Sequence, residues 1–532
     1  MTLAGLVESL RAEARRTDER RLLVLAGPRE AGIDAAYSVI EAAAPDENAV
    51  SVVTTREGFR YHRLDPQQAD QLLGTTREII VFDCHEGFSA TALGQLTGAV
   101  DGGGLFVLLV PTLAELPTKL DALVDQLLAP PFDREAVGNR FRTRFVETLR
   151  THPGVAIVDV STAGDGSLAV SVDREGLTHP SEDQLVEPPS PSVRVDSPFP
   201  DAAFEACLTA AQARAVAGLS VLAEPGHAVV VEADRGRGKT SAAGLAAAGL
   251  AAAGHDVLVT APAFENTEPL FDRAESLLRT LGEHSEASDA GCLYTNSGGR
   301  LRFRRPPEAA KIVSEVDAII VDEAAAIPVD LLSEFLAAPS VAFCTTVHGY
   351  EGTGRGFAVR FRQRLAGSDK SVTEIELDEP IRYARGDPVE SWLFRLLLLD
   401  AQPPVDQLVE GATPETVSYR RISQDELAAN EQLFRSVVGL LVVAHYRTEP
   451  TDILRLLDAP NIAIRALEHK GHIVSVAVLV REGGLEAPLR ANMYEGQRVR
   501  GNMLPDVLTS QLRDEAAAEP VGYRVMRIAT HQ

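Results

Sequence analysis

This chain is short of lysine, cysteine and aromatic residues. Among its 532 residues are five lysines against 46 arginines, four cysteines and one tryptophan, and aromatics make up 5%. Cys84, Cys207, Cys292 and Cys344 stand far apart, with no C-x-x-C pair. That spacing excludes a disulfide scaffold or a cysteine-held metal and points to a reducing cytoplasm. No run of roughly 18 apolar residues appears, which excludes a hydrophobic membrane-spanning helix. The opening MTLAGLVESLRAEARRTDERR also lacks a signal peptide's apolar centre. Acid, by contrast, is plentiful: 76 Asp and Glu against 51 Lys and Arg, a net charge of −25. Such a balance either repels nucleic acid or reflects an acidic, lysine-poor surface suited to concentrated salt, where repulsion is screened. We prefer the second reading, under which local arginine clusters say more about partners than net charge. Apolar residues at 45% and charged residues at 24% are ordinary for globular protein. The length predicts about three or four domains.

Short apolar runs at 20–27, 77–83, 104–111 and 154–160 alternate with helical patterns. They predict a parallel α/β domain whose strands are buried on both faces. Gly102-Gly103-Gly104 lacks a following Lys-Ser/Thr pair and is read as a turn. Six prolines and many acids mark 174–203 as a boundary or linker. A second α/β block, about 204–400, has strand candidates at 227–233, 256–261, 317–322 and 341–346. A third block starts near 415. It has helical stretches at 424–446, 450–458 and 504–517, a hairpin pattern at 461–467 and 471–480, and a last apolar run at 523–529. No internal repeat is legible.

The clearest chemical signal is VVVEADRGRGKTS at 229–241. A buried-type strand enters a glycine-rich turn, then Lys239, Thr240 and Ser241 open an alanine-rich helix. Ala233 stands where the G-x-x-x-x-G-K-[ST] pattern has its first glycine. Gly236 and Gly238 let backbone N–H groups face phosphates with no Cβ in the way, and the helix N-terminus adds positive potential. Lys239 supplies charge to the β- and γ-phosphates, and the Thr240 hydroxyl can ligate Mg²⁺. Some 80 residues on, DAIIVDEAAAIP delivers Asp322 and Glu323 to a strand's end. Asp322 can hold Mg²⁺ through water, and Glu323 can orient or deprotonate the attacking water. The two motifs together predict a hydrolysing ATPase.

Other pieces fit a helicase-like ATPase, each with a plainer alternative. Gln212 can read an adenine edge, or be an ordinary helix residue. His348, Glu351 and Arg355 can sense a γ-phosphate. Arg355, Arg360, Arg362 and Arg364 can form an RNA-facing stripe, or a solvated basic helix. Arg302, Arg304 and Arg305 interleave Phe303 as phosphate contacts with a stacking ring, or as a salt-bridge cluster. Arg382 is a candidate finger toward the triphosphate.

The strings GRGKTS, VDEAAAIP, HGYEGTGRGF, EPIRYARGDPVESWL, AHYRTEPTDILRLLDAP, RGNMLPDVL and RIATH resemble the tRNA(Met) cytidine acetyltransferase family, which makes N4-acetylcytidine in RNA. The resemblance covers nearly all of the chain from about residue 205, and the N-terminal block with weaker motifs. It implies an α/β protein of three parts. Residues 1–175 would form a Rossmann-like α/β domain, followed by the linker at 176–203. Residues 204–405 would form a RecA-like, helicase-type ATPase, and 415–532 part of an α+β acetyltransferase of the GCN5-related type. It further implies that Gln212, the loop Asp234, Arg235, Gly236, Arg237, Gly238, Lys239, Thr240 and Ser241, and Arg382 bind ATP. Ile528, Ala529 and Thr530 would contact acetyl-CoA, and tRNA, above all elongator tRNA(Met), would be the partner. No membrane and no stable protein partner are implied. The family's acetyl-CoA loop, Q/R-x-x-G-x-G/A, follows the strand that ends near Thr530. This sequence reaches Gln532, so the expectation is a full ATPase and roughly the first half of an acetyltransferase. His531 lies near that chemistry but is equally an ordinary strand-end histidine. The competing classes are an RNA-dependent ATPase without acetyl transfer, and a non-catalytic RNA-binding scaffold, against which Glu323 argues.

Overall fold

The computed structural model describes all residues except 87, 120, 180–196, 287, 290, 347–360, 362–363, 445–449 and 532, and only the backbone of 443 and 444. The proline-rich part of the expected linker and the whole of HGYEGTGRGF therefore lie outside the described residues, as do Arg360 and Arg362. The described chain divides into two compact units, one of residues 1–185 with 386–532, the other of residues 186–385.

In the first unit the apolar runs become largely buried strands, as runs rich in Val, Leu and Ile should when both faces are covered. The strands are β1 (Arg21–Ala26), β2 (Val50–Val53), β3 (His62–Leu64), β4 (Arg77–Asp83), β5 (Val100–Val110), β6 (Val155–Thr162) and β7 (Leu168–Arg174). Their order in the sheet is β3-β2-β4-β5-β1-β6-β7, parallel except for the last. The glycine run expected as a turn lies inside β5. Arg77 pairs with Val100 and Ile79 with Leu105, so residues 101–104 bulge out of the ladder. The helix Leu3–Thr17 approaches this bulge closely. A Cβ on Gly102 would fall 2.2 Å from Asp18 Oδ1, and Gly103 has a φ of 76°. Only glycine fits there.

The same unit carries an antiparallel sheet of β15 (Ser418–Ile422), β16 (Ile462–His469), β17 (His472–Gly483) and β18 (Val521–Thr530), in that order. It is tied to the α/β part by buried charge. Asp458 accepts from the backbone N–H of Arg140 at 2.8 Å and Phe141 at 3.0 Å, capping the helix Arg140–Thr151. Asp387 caps the helix Pro388–Leu397 and accepts from Arg20 through both backbone N–H (2.6 Å) and guanidinium (2.8 Å). Neither side chain of that pair meets solvent. Trp392 from this helix is fully buried against Phe145.

The second unit is built on β8 (His227–Ala233), β9 (Asp256–Thr260), β10 (Cys292–Tyr294), β11 (Arg300–Phe303), β12 (Ala318–Val321), β13 (Ser340–Thr346) and β14 (Ser371–Leu377). Their order is β10-β11-β9-β12-β13-β8-β14. No helix among the described residues is long and apolar enough to cross a membrane. The absence of a legible repeat proves misleading. Six strands of the first sheet, β3-β2-β4-β5-β1-β6, and six of the second, β11-β9-β12-β13-β8-β14, follow the same order and the same chain sequence, all parallel. Sheet order is conserved here while residue identity is not, because any β-branched run fills a buried strand.

One buried group gives the first unit a pH dependence. His152 ends the helix Arg140–Thr151 and faces Ser391 Oγ at 3.3 Å. Burial, with Arg395 and Arg174 nearby, lowers its pKa from an ordinary 6.5 to about 4. The unfolded chain therefore binds the proton more readily, so stability is complete above about pH 6.5 and declines toward pH 4. His152→Gln should flatten this part of the melting-temperature profile. Parallel profiles for the two proteins between pH 7 and 4 would show that His152 contributes nothing to it.

Candidate functional site

The phosphate-type loop joins β8 to the helix Lys239–Ala252. Gly236 and Gly238 both take positive φ, 76° and 79°. A Cβ on Gly238 would lie 2.0 Å from Gln212 Nε2, so this position admits glycine alone. Gln212 is buried. Its amide accepts from Leu208 N–H at 2.7 Å and donates to Gly238 O at 3.3 Å. The glutamine thus braces the loop in this structure. On the loop's other side, Ile381 N–H donates to Gly236 O at 3.0 Å, and Arg237 reaches the Tyr383 hydroxyl at 3.4 Å. Arg382, half-buried, lies between these two contact residues in the chain. Asp234 and Arg235 are half-buried at the loop's start, as is Ser241 just inside the helix.

At the centre is one cation between two carboxylates. Lys239 Nζ lies 3.1 Å from Asp322 Oδ1 and 3.0 Å from Glu323 Oε1. Thr240 Oγ1 donates to Asp322 Oδ2 at 2.9 Å. Burial alone would discharge the lysine, but Asp322 and then Glu323 hold it charged, well above the ordinary lysine range. Burial raises the Glu323 carboxyl, and Lys239 and Arg235 outweigh that, leaving it below its ordinary value. Glu323 is also a non-glycine residue at φ 46° and ψ 44°. Such backbone costs roughly 1–3 kcal/mol and persists where surrounding contacts enforce it. Thr346, at the end of β13, is a residue the sequence reading did not single out. Its hydroxyl donates to Glu323 Oε2 at 3.3 Å. It reaches that carboxylate because β13 lies between β8 and β12 in the sheet.

Other expected residues do not join this cluster. Arg302 pairs with Asp256 at 2.9 Å, alongside Arg300, and Phe303 packs edge-on against Phe264. Of the three cluster arginines, Arg302 thus follows the salt-bridge alternative. Arg304 and Arg305 are exposed. Arg364 pairs with Asp330 and bonds Ser333. His348, Glu351 and Arg355 lie outside the described residues.

In the first unit, Ile528, Ala529 and Thr530 end β18, the last strand of its sheet. They pair with Ala477, Val476 and Ser475, and Ser475 Oγ binds both Ala529 O and the Thr530 hydroxyl. The register shifts between Val478 and Leu479, leaving Met526 without an opposite residue. A bulge of this kind bends the strand and changes which way its last residues face. His531 donates its backbone N–H to Val474 O, and its ring contacts Pro404 O at 2.7 Å. That fits a strand-end histidine with a structural partner.

Three family models match in succession. One described as tRNA(Met) cytidine acetyltransferase TmcA, N-terminal, covers residues 1–160. RNA cytidine acetyltransferase NAT10/TcmA, helicase domain, covers 230–400, and GNAT acetyltransferase 2 covers 436–532. A Haloferax volcanii protein named tRNA(Met) cytidine acetyltransferase TmcA is 58% identical over 529 residues, 99% of this chain and 69% of the relative. A protein of the same name from Haloarcula marismortui is 53% identical over 99% of this chain and 67% of the relative. One from Pyrococcus abyssi is 34% identical over 92% and 58%. With these relatives 58% and 53% identical over 99% of its length, the chain belongs to the tRNA(Met) cytidine acetyltransferase family.

Proposed function

We propose that this protein acetylates the exocyclic N4 of a cytidine in tRNA, with acetyl-CoA as donor, and couples that transfer to ATP hydrolysis at residues 234–241. The wobble cytidine of elongator tRNA(Met) is the target this reading favours. The observation that carries the ATPase half is the Lys239–Asp322–Glu323 cluster at the head of a glycine-rich loop. The loop's backbone and Lys239 would hold the triphosphate, with Gln212 and Arg382 on either side. Thr240 and Asp322 place a hydroxyl and a carboxylate oxygen 2.9 Å apart. A hard divalent cation takes such oxygens and completes its shell with water and phosphate, so the pair fits Mg²⁺. When bound, Mg²⁺ supplies neutralisation of phosphate charge.

Lys239 has two alternative sets of partners. Here it neutralises Asp322 and Glu323; facing a triphosphate it would turn its charge to the phosphate oxygens. Glu323 would then be released to accept a proton from water, and with Lys239 turned to phosphate the burial that raises its carboxyl is no longer offset by the ammonium, which makes it a better base. Thr346 would hold the carboxylate's other oxygen and so fix its orientation.

For the acetyl half, cytosine N4 is a weak nucleophile because its lone pair is delocalised into the ring. The chain's contribution is therefore positioning, and rigid strand backbone does this well. By the family resemblance, the backbone of Ile528, Ala529 and Thr530 would contact the donor. Acetyl-CoA supplies the activated acyl group when bound.

Deleting the gene should remove N4-acetylcytidine from elongator tRNA(Met), read by mass spectrometry of digested tRNA. The intact gene should restore it. A deletion strain with unchanged N4-acetylcytidine would overturn the assignment. Lys239→Ala should lower ATP turnover by about 10³-fold, the scale for losing one charge-stabilising group. Circular dichroism should show it folded, and retention of more than a tenth of wild-type turnover would remove Lys239 from the site. Glu323→Gln should still bind ATP, since the isostere keeps shape, yet hydrolyse it far more slowly. Parallel loss of binding and turnover would instead mark Glu323 as structural.

A further inference from the structure

The two parallel sheets share strand order, so their strand ends can be matched row by row. In the first sheet, Val53, Phe82, Leu108 and Val24 form one row across β2, β4, β5 and β1. In the second, Thr260, Val321, Phe343 and Val230 form the corresponding row across β9, β12, β13 and β8. One residue further along, Asp83 in the first sheet falls where Asp322 falls in the second. Both are strand-end carboxylates with essentially no exposure.

The surroundings of the two carboxylates also correspond. The helix after β8 begins with Lys239, and the helix after β1 begins with Arg29. Each first residue reaches its aspartate: Lys239 Nζ at 3.1 Å, Arg29 Nε at 2.8 Å. Each aspartate also accepts from a threonine, Thr240 at 2.9 Å and Thr54 at 2.8 Å. Asp83 further receives the His85 backbone N–H and ring Nδ1, and the His85 Nε2 faces Gly27 O at 2.9 Å.

Two differences bear on nucleotide binding. In the ATPase sheet five residues, Asp234–Gly238, separate the row-matched Ala233 from the helix. In the first sheet Gly27 matches Ala233, and Pro28 alone separates it from Arg29. One residue cannot form a cradle around phosphates, and proline has no N–H to offer. Secondly, the residue after the aspartate is Glu323 in one copy and Cys84 in the other. Cys84 is buried, and a thiol there has no charge to direct water.

We propose that the N-terminal α/β domain is an internal duplicate of the ATPase domain whose nucleotide position is closed by its own side chains, so that the protein binds one nucleotide and only at 234–241. The Arg29 guanidinium provides the cation that Asp83 needs, and it does so permanently. Lys239 can exchange its carboxylates for phosphate; Arg29 is held by Asp83, Glu86 and Thr55 together. The duplicate therefore has no nucleotide-dependent change of partners at its strand ends. It serves as a fixed platform carrying the ATPase fold without the ATPase cycle.

This inference rests on reading 234–241 as the ATP site, and calorimetric titration of the full chain with ATP and Mg²⁺ separates the two. The expected result is one nucleotide per chain. Lys239→Ala should lose all binding at concentrations that saturate the wild type. Arg29→Ala should keep one nucleotide per chain and hydrolyse ATP within about twofold of wild type, while melting at a lower temperature. Two nucleotides per wild-type chain would overturn the duplicate's closure. So would binding that survives Lys239→Ala and is lost when Arg29→Ala is added. No binding by the wild type would instead remove the ATP reading itself, and with it the single-site claim.

Discussion

Lys239 decides what the second unit can do. A buried carboxylate, Asp322, and a half-buried one, Glu323, repel one another side by side, and a cation between them relieves that repulsion. Lys239 is that cation, and Asp322 and Glu323 keep it charged in return. On the proposed function the arrangement would be exchangeable, because a triphosphate offers the same ammonium a richer set of oxygens. Cys344 lies in the same pocket of charge, and burial with the nearby Asp322 pushes its thiol far up, so it remains neutral. The sheet order makes this geometry possible. With β13 between β8 and β12, the lysine, the acids and Thr346 come from three neighbouring strand ends.

Much of this site was legible because its parts are local. The strand, glycine turn, lysine and threonine are contiguous in 229–241, and their chemistry can be named without knowing the fold. Thr346 was not legible. Its role depends on β13 inserting between two strands that are distant in sequence, and a threonine at a strand end is otherwise unremarkable. The same reason hid Asp387 and Arg20, which are 367 positions apart yet hydrogen-bonded. The short strands β2 and β3, of four and three residues, also escaped notice. Runs that short cannot be told from loops by periodicity. β7 has only half-exposed and exposed residues at the sheet's rim, so its apolar content was too thin to register.

The antiparallel sheet of the first unit owes its place to a few buried charged contacts. Asp458 spends its carboxylate on two backbone N–H groups of a helix in the α/β part, and burial raises its pKa despite them. Arg20 and Asp387 make a fully buried pair. Such pairs add little net stability against an apolar replacement, but losing one partner typically costs about 3–5 kcal/mol. Their effect is to specify one docking of the helix Pro388–Leu397, with Trp392 seated on Phe145, where apolar packing alone would allow several. β18 then extends from a sheet whose position is set.

Comparison of the two parallel sheets separates what the fold provides from what a loop provides. Both have the same strand order, both place an aspartate at the same row, and both aim a cation at it from a helix's first residue. If the fold conferred nucleotide chemistry, both would have it. The difference is four residues of loop and one carboxylate. On the proposed function the longer loop would turn backbone N–H groups toward an anion, and the carboxylate would act as a base for water. Without them, the most stable use of the remaining aspartate is to bind the chain's own arginine. Burial raises the Asp83 carboxyl, and the hydrogen bonds from His85 and Thr54 outweigh it, bringing it down to about 2. A carboxylate so well satisfied has little to gain from any ligand. The Asp322 carboxylate shares its lysine with a strained neighbour, and on the proposed function that lysine would also serve the triphosphate.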